Sequence, residues 1–196
     1  MAIVKPFKAV RPSRDKVALV SSKSYEAYTP AELGAKLDFN PFTFLHVINP
    51  GYKYHQEVSG EQRFQLVHNR YLEFKENSIF IQDKSAAFYI YERIDNNHSF
   101  CGIIAATSVQ DYLDDVIKKH EGTISKREQL FENYLKATGF NAEPVLLTFK
   151  DDKNLAEIIN QEKEKRPEYD FSTTDKRLHK LWLITDEIIT KKITTA

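Results

Sequence analysis

Eleven residues, Ile117-Lys118-Lys119-His120-Glu121-Gly122-Thr123-Ile124-Ser125-Lys126-Arg127, carry the densest chemistry in the chain. They set one imidazole, one carboxylate, two hydroxyls and four cationic side chains around one glycine. Glycine takes φ > 0 without a Cβ clash, so Gly122 is where a helix or turn over residues 111–119 is expected to stop. Ser125 with Glu128 three residues later fits a capping box that opens a second helix. His120 and Glu121 are therefore expected at a helix–helix junction. Free N–H groups at the start of the second helix, with Lys119, Lys126 and Arg127, favour an anion there. Phosphate is the natural candidate, with Thr123 and Ser125 as further ligands. The competing reading is a solvated helix end, the usual fate of a Lys-Lys-His-Glu run. No protein metal site is expected, since His-Glu-x-x-His needs a second histidine where Ile124 stands.

The elements that must position these residues follow from periodicity. Residues 2–10 alternate as a strand, and Val17-Ala18-Leu19-Val20 reads as a short buried strand. Thr29-Pro30-Ala31-Glu32 opens a short helix, with Leu33 and Leu37 inward. Ser59-x-x-Gln62 opens a longer helix over residues 59–77, whose Phe64, Val67, Tyr71 and Phe74 form a core face. Residues 86–94 and 99–109 read as an antiparallel hairpin around Asp95-Asn96-Asn97-His98. Residues 127–138 make a helix with Leu130, Phe131 and Tyr134 inward, and residues 143–149 a buried strand. Residues 154–165 form a helix, residues 169–172 and 178–184 two strands, and residues 186–194 a last helix. The expected fold is α+β: a mixed, largely antiparallel sheet with helices packed on it. The chain is read as one region, 1–196, with a subdivision into 1–50 and 51–196.

Composition narrows the function classes. The chain has 196 residues, 41% hydrophobic and 29% charged, enough for a packed core. Lys+Arg and Asp+Glu are both 28, so no global field attracts nucleic acid or an anionic membrane. The single cysteine, Cys101, excludes a disulfide framework and suits a reducing cytoplasm, the expected location. Met1-Ala2-Ile3-Val4-Lys5-Pro6 lacks the apolar segment of a signal peptide, and no run approaches roughly 18 apolar residues. With only 6 glycines there is no Walker loop, no Gly-x-Gly-x-x-Gly and no Gly-x-Ser-x-Gly.

Five stretches, in order, resemble one family. They are Ile3-Val4-Lys5-Pro6-Phe7-Lys8-Ala9-Val10-Arg11-Pro12; Asn40-Pro41-x-x-Phe44-Leu45-His46-Val47; Asp111-Tyr112 with Ile117-Lys118-Lys119-His120-Glu121-x-Thr123; Glu143-Pro144-Val145-Leu146-Leu147; and His179-Lys180-Leu181-Trp182. The chain resembles the N-terminal half of the family catalogued as domain of unknown function 1015. Such proteins are usually about twice this length and carry a later Asp-Gly-His-His-Arg motif, similar to that of ParB-like proteins and free-serine kinases. The missing motif implies a truncated chain or an isolated N-terminal domain, with its own C-terminal half as partner; the apolar C-terminal residues are expected to be exposed or covered by a homodimer contact. The resemblance implies a small-molecule phosphotransferase binding a nucleotide, with Mg, or a phosphorylated small molecule, a reaction in which the protein mainly positions groups and neutralises charge. Glu121 and His120 are then the expected catalytic pair, accepting a hydroxyl proton or holding a metal-bound water. Tyr25, Glu26 and His46 are then expected to join His120 and Glu121 in one cleft. Where relatives read Pro-Pro-Tyr-Asp-Val, this chain has Lys23-Ser24-Tyr25-Glu26-Ala27, without the rigid prolines. A lone histidine in an apolar run, such as His46, is more often a core residue than a ligand. The alternatives to an enzyme are a ParB-like regulatory module and a plain interaction domain. The apolar residues around Trp182 and Ile189 are expected to face a partner.

Overall fold

The computed structural model describes residues 2–96, 98–120 and 125–195. Its strands are β1 (Val4–Lys5), β2 (Val10–Pro12), β3 (Phe80–Gln82), β4 (Phe88–Asp95), β5 (His98–Ile104), β6 (Ala106–Thr107), β7 (Tyr169–Ser172) and β8 (Leu178–Ile184). Its helices are α1 (Val17–Val20), α2 (Pro30–Phe39), α3 (Leu45–Ile48), α4 (Gly60–Glu76), α5 (Val109–Leu113), α6 (Ser125–Thr138), α7 (Lys153–Lys163) and α8 (Glu187–Thr195). This is the expected α+β class. The chain forms two compact units. The first is Met1–Arg11, Gln82–Gly122 and Pro144–Ala196; the second is Pro12–Ile81 and Thr123–Glu143.

The first unit is built on an antiparallel sheet in the order β5-β4-β8-β7. Side chains alternate across a strand, so β4 sends Phe88 and Ile90 to one face and Tyr89, Tyr91 and Arg93 to the other. Phe88 and Ile90 join Trp182, Ile184 and Ile193 in a core covered by Leu155, Ile158 and Ile159 of α7 and Ile189 of α8. Burying each large apolar side chain contributes about 1.5–3 kcal/mol. The Trp182 indole N–H, also buried, donates to the Lys165 carbonyl at 3.0 Å. At the other face Arg11 ties the N-terminal segment to the sheet. Its Nε donates to both Asp83 oxygens at 2.9 and 3.1 Å, and its Nη1 to Glu168 at 2.9 Å and to the Tyr169 hydroxyl at 2.8 Å. The Tyr89 hydroxyl donates to Asp83 at 2.7 Å and accepts the Ala9 N–H at 3.0 Å. Burial pushes the Tyr89 phenol up to about 12, and the Asp83 carboxylate adds to the shift.

In the second unit α2 starts as the sequence predicts. Thr29 and Glu32 form a reciprocal capping box with Pro30 at the first position. On α4, Phe64, Val67 and Phe74 are buried. Tyr71, half-buried, stacks on Phe140 at 4.3 Å. Phe80 closes this aromatic cluster against Phe44, Tyr71 and Phe74.

Five expectations are corrected. Residues 17–20 form a helical turn, not a strand, because the Leu19 and Val20 N–H groups both bond the Lys16 carbonyl. The chain enters α4 through Gly60 at φ +59°, and Ser59 makes no side-chain cap bond. Leu130 and Phe131 of α6 are exposed; Tyr134 alone of the three turns inward, edge-on to Phe64 at 5.3 Å. Residues 143–149 form no strand. Leu146 is 89% exposed, because no described strand pairs with this apolar run and a strand needs a neighbour for its N–H and C=O groups. Trp182 is buried instead of facing outward, and Ile189 packs against the core.

Two substitutions test these contacts. Arg11→Leu leaves Asp83 as an uncompensated charge in a side chain only 10% exposed, and should destabilise by about 3 kcal/mol or more in urea melts. Gly51 lies where an added Cβ would sit 2.2 Å from the Gln56 carbonyl oxygen, while one at Gly102 meets nothing within 4 Å. Gly51→Ala should therefore cost about 1–3 kcal/mol, and Gly102→Ala should stay within about 0.5 kcal/mol.

Candidate functional site

The residues singled out by sequence fall in both units. Lys119 and His120, in the first, are exposed, and Lys119 Nζ lies 4.4 Å from the centroid of the Tyr112 ring. Glu121 and Thr123 lie outside the described residues. Ser125 and Lys126 begin α6, and Arg127 follows them, exposed. In the second unit, Tyr25 and Glu26 occupy an exposed 3-10 turn and bond each other at 3.3 Å. His46 is buried on α3, and its Nε2 has no partner among the described residues. Burial lowers the His46 pKa and nearby Arg70 adds to the effect, while the backbone at Leu37 and Asn40 opposes it. Among the described residues no hydrogen bond or ion pair joins Tyr25 or Glu26 to His46, and no group of three His, Cys, Asp or Glu is placed to hold a metal.

A different constellation lies on the sheet of the first unit, on the face away from α7 and α8. The register aligns Phe100, Arg93, His179 and Phe171 in one row across all four strands. The neighbouring row holds Gly102, Tyr91, Leu181 and Tyr169. Arg93 places its guanidinium carbon 5.1 Å from the centroid of the Phe100 ring. Its Nε is buried without a partner among the described residues. Phe171 stacks on His179 at 5.2 Å and 15°. Tyr91, 37% exposed, bonds His179 Nδ1 through its hydroxyl at 2.7 Å. On the other ring nitrogen, Nε2 lies 3.4 Å from Thr173 Oγ1, which donates to Asp175 at 2.5 Å.

The β7–β8 turn positions the last two groups. Lys176 takes φ +62°, and the Lys176 N–H bonds the Thr173 carbonyl. Arg177 at the turn is already neutralised by Asp95 at 2.9 Å and Asp175 at 3.2 Å. Among the described residues no carboxylate forms an ion pair with Arg93, which lies between Phe100 and His179 in the row. Burial lowers the His179 pKa, Asp175 opposes this, and Arg93 and Arg177 reinforce it. Burial raises the Tyr91 pKa, with Arg93 pulling it back. The imidazole is therefore a neutral acceptor facing a protonated phenol.

A family model matches residues 4–196, which is nearly the whole chain. The chain belongs to the family described as Protein of unknown function (DUF1015). No curated protein and no solved structure matches it. No described helix of this DUF1015 chain is long and apolar enough to cross a membrane. Of the stretches that carry the family resemblance, the first supplies Arg11 and the last supplies His179.

Sequence reasoning missed Tyr91, Arg93, Phe100 and Phe171. The signal was present in part: alternation along residues 86–94 puts Tyr91 and Arg93 on the face opposite Phe88 and Ile90. Nothing local aligns them with residue 179, which lies far along the chain.

Acid should weaken the fold through His46 and His179. Both have folded pKa values below the ordinary 6.5, so below that pH the unfolded chain binds more protons. Stability is full above pH 6.5 and falls as pH drops toward the folded values. Urea midpoints from pH 7.5 to 5 should decline, and His179→Gln or His46→Gln should each flatten the slope.

Proposed function

We propose that this DUF1015 chain is a ligand-binding domain whose open sheet face takes a small, anionic, planar molecule of the nucleotide or phosphorylated class. Arg93, which makes no ion pair among the described residues and is set over Phe100 beside Tyr91 and His179, carries the reading. The residue is only partly buried, and its planar guanidinium suits bidentate contact with phosphate. Phe100, at 56% exposure, and Tyr91 offer ring surface on which a base can stack. Gly102, opposite Tyr91 on the edge strand, leaves the flank of that ring open. The equal numbers of acidic and basic residues fit a small ligand held by local charge better than a polymer drawn by a basic surface.

Calorimetric titration with ADP, and with inorganic phosphate alone, tests the reading. ADP should bind more tightly than phosphate, because only ADP uses the rings. Arg93→Gln should weaken both by roughly ten- to a hundredfold, the value of a charged hydrogen bond. Gly102→Val, whose added Cβ meets nothing within 4 Å, should block ADP while leaving the melting temperature unchanged. An Arg93→Gln protein with wild-type ADP affinity removes this face as the site.

A further inference from the structure

We propose that Tyr91 is an activated nucleophile that accepts a phosphoryl group from a phosphoanhydride or phosphate ester held at Arg93. The proposal rests on the ligand-binding reading above and adds a reaction to it. The hydrogen bonds around His179 run in one direction. Thr173 has two acceptors for its single hydroxyl proton, Asp175 at 2.5 Å and the Arg177 carbonyl at 3.2 Å, so toward His179 it acts as acceptor for Nε2–H at 3.4 Å. Nδ1 of the same ring then carries the lone pair, and the Tyr91 hydroxyl donates to it at 2.7 Å. A nucleophile, a base within hydrogen-bond reach and a third group that orients the base make the constellation by which weak hydroxyls are activated. Phe171, stacked on the imidazole, fixes its plane. The phenol oxygen stands at the exposed end of this relay, and Asp175 at the other.

The step balances within these groups. Tyr91 Oη attacks phosphorus, the new O–P bond forms, and the bond from phosphorus to the leaving oxygen breaks. The phenol proton moves to His179 Nδ1, and the imidazolium then returns it to the leaving oxygen. Asp175, acting through Thr173, stabilises the transient positive charge, and Arg93 neutralises the phosphoryl oxygens. Tyr91 is the catalytic residue here, and Thr173 and Asp175 are positioning residues.

Two probes on the whole chain separate this step from ligand recognition. Phenylmethylsulfonyl fluoride has no phosphate and no base, so it reports phenol activation alone. Peptide mass spectrometry should find Tyr91 labelled about tenfold or more faster than Tyr25 and Tyr112, which are 52% and 44% exposed. His179→Gln should remove that advantage, and Asp175→Asn should reduce it and shift its pH profile. Acetyl phosphate, a simple phosphoanhydride, should leave phosphotyrosine at position 91, and both His179→Gln and Arg93→Gln should lose it. Labelling of Tyr91 no faster than Tyr25 and Tyr112, or labelling unchanged in a folded His179→Gln protein, overturns the proposal. So does wild-type chain that never gains phosphotyrosine. Fast, His179-dependent labelling with phosphotyrosine formation but no ADP affinity would keep the nucleophile and remove only the nucleotide reading.

Discussion

The register of β4 is the constraint on which the first unit depends. Phe88 pairs with Ile184 and Ile90 with Trp182, so one set of alternating residues fills the core. The other set, Tyr89, Tyr91 and Arg93, is then committed to the opposite face. A slip of one residue would exchange the sets, burying a guanidinium among Ile and Trp side chains and exposing Phe88 and Ile90. The apolar face thus fixes the chemistry of the polar face, although the two share no atoms.

Two arginines on this framework have opposite fates. Arg11 is enclosed by Asp83, Glu168 and Tyr169; burial works against its charge, but these partners more than compensate and keep it protonated. It holds the N-terminal segment against β4. Arg93 lies in the next stretch of the same face, over a phenyl ring, and makes no ion pair among the described residues. The contrast is one of neighbours: the acidic residues near β8, Asp95 and Asp175, are both engaged by Arg177. A residue type alone does not mark a binding group. What marks it is the partner it lacks.

The same logic separates the histidines. His46 is enclosed in the second unit with an unpartnered Nε2, and burial keeps it neutral. His179 is also kept neutral, but both its nitrogens are engaged and one of them meets a phenol that solvent can reach. A neutral imidazole with an assigned tautomer is what proton transfer requires.

Much of the architecture was legible in the sequence. The β4–β5 hairpin, β7, β8, α4 and α8 all follow from periodicity, because period 2 and period 3.6 are written in the order of apolar residues. Thr29 and Glu32 announced their cap for a similarly local reason. Short apolar runs were not legible. Residues 17–20 could turn or extend, and residues 143–149 have strand composition but no strand beside them. The density of chemistry at residues 117–127 was real in the sequence, yet density along a chain says nothing about convergence in space. The row Phe100, Arg93, His179 and Phe171 is assembled from four strands, two local pairs that the β4–β8 pairing joins across a gap of more than sixty residues in the sequence. Sequence determined which residues each strand turns outward, because alternation is a property of the strand itself. Only the tertiary structure decided which outward residues became neighbours, because register is set by the packing of the buried face.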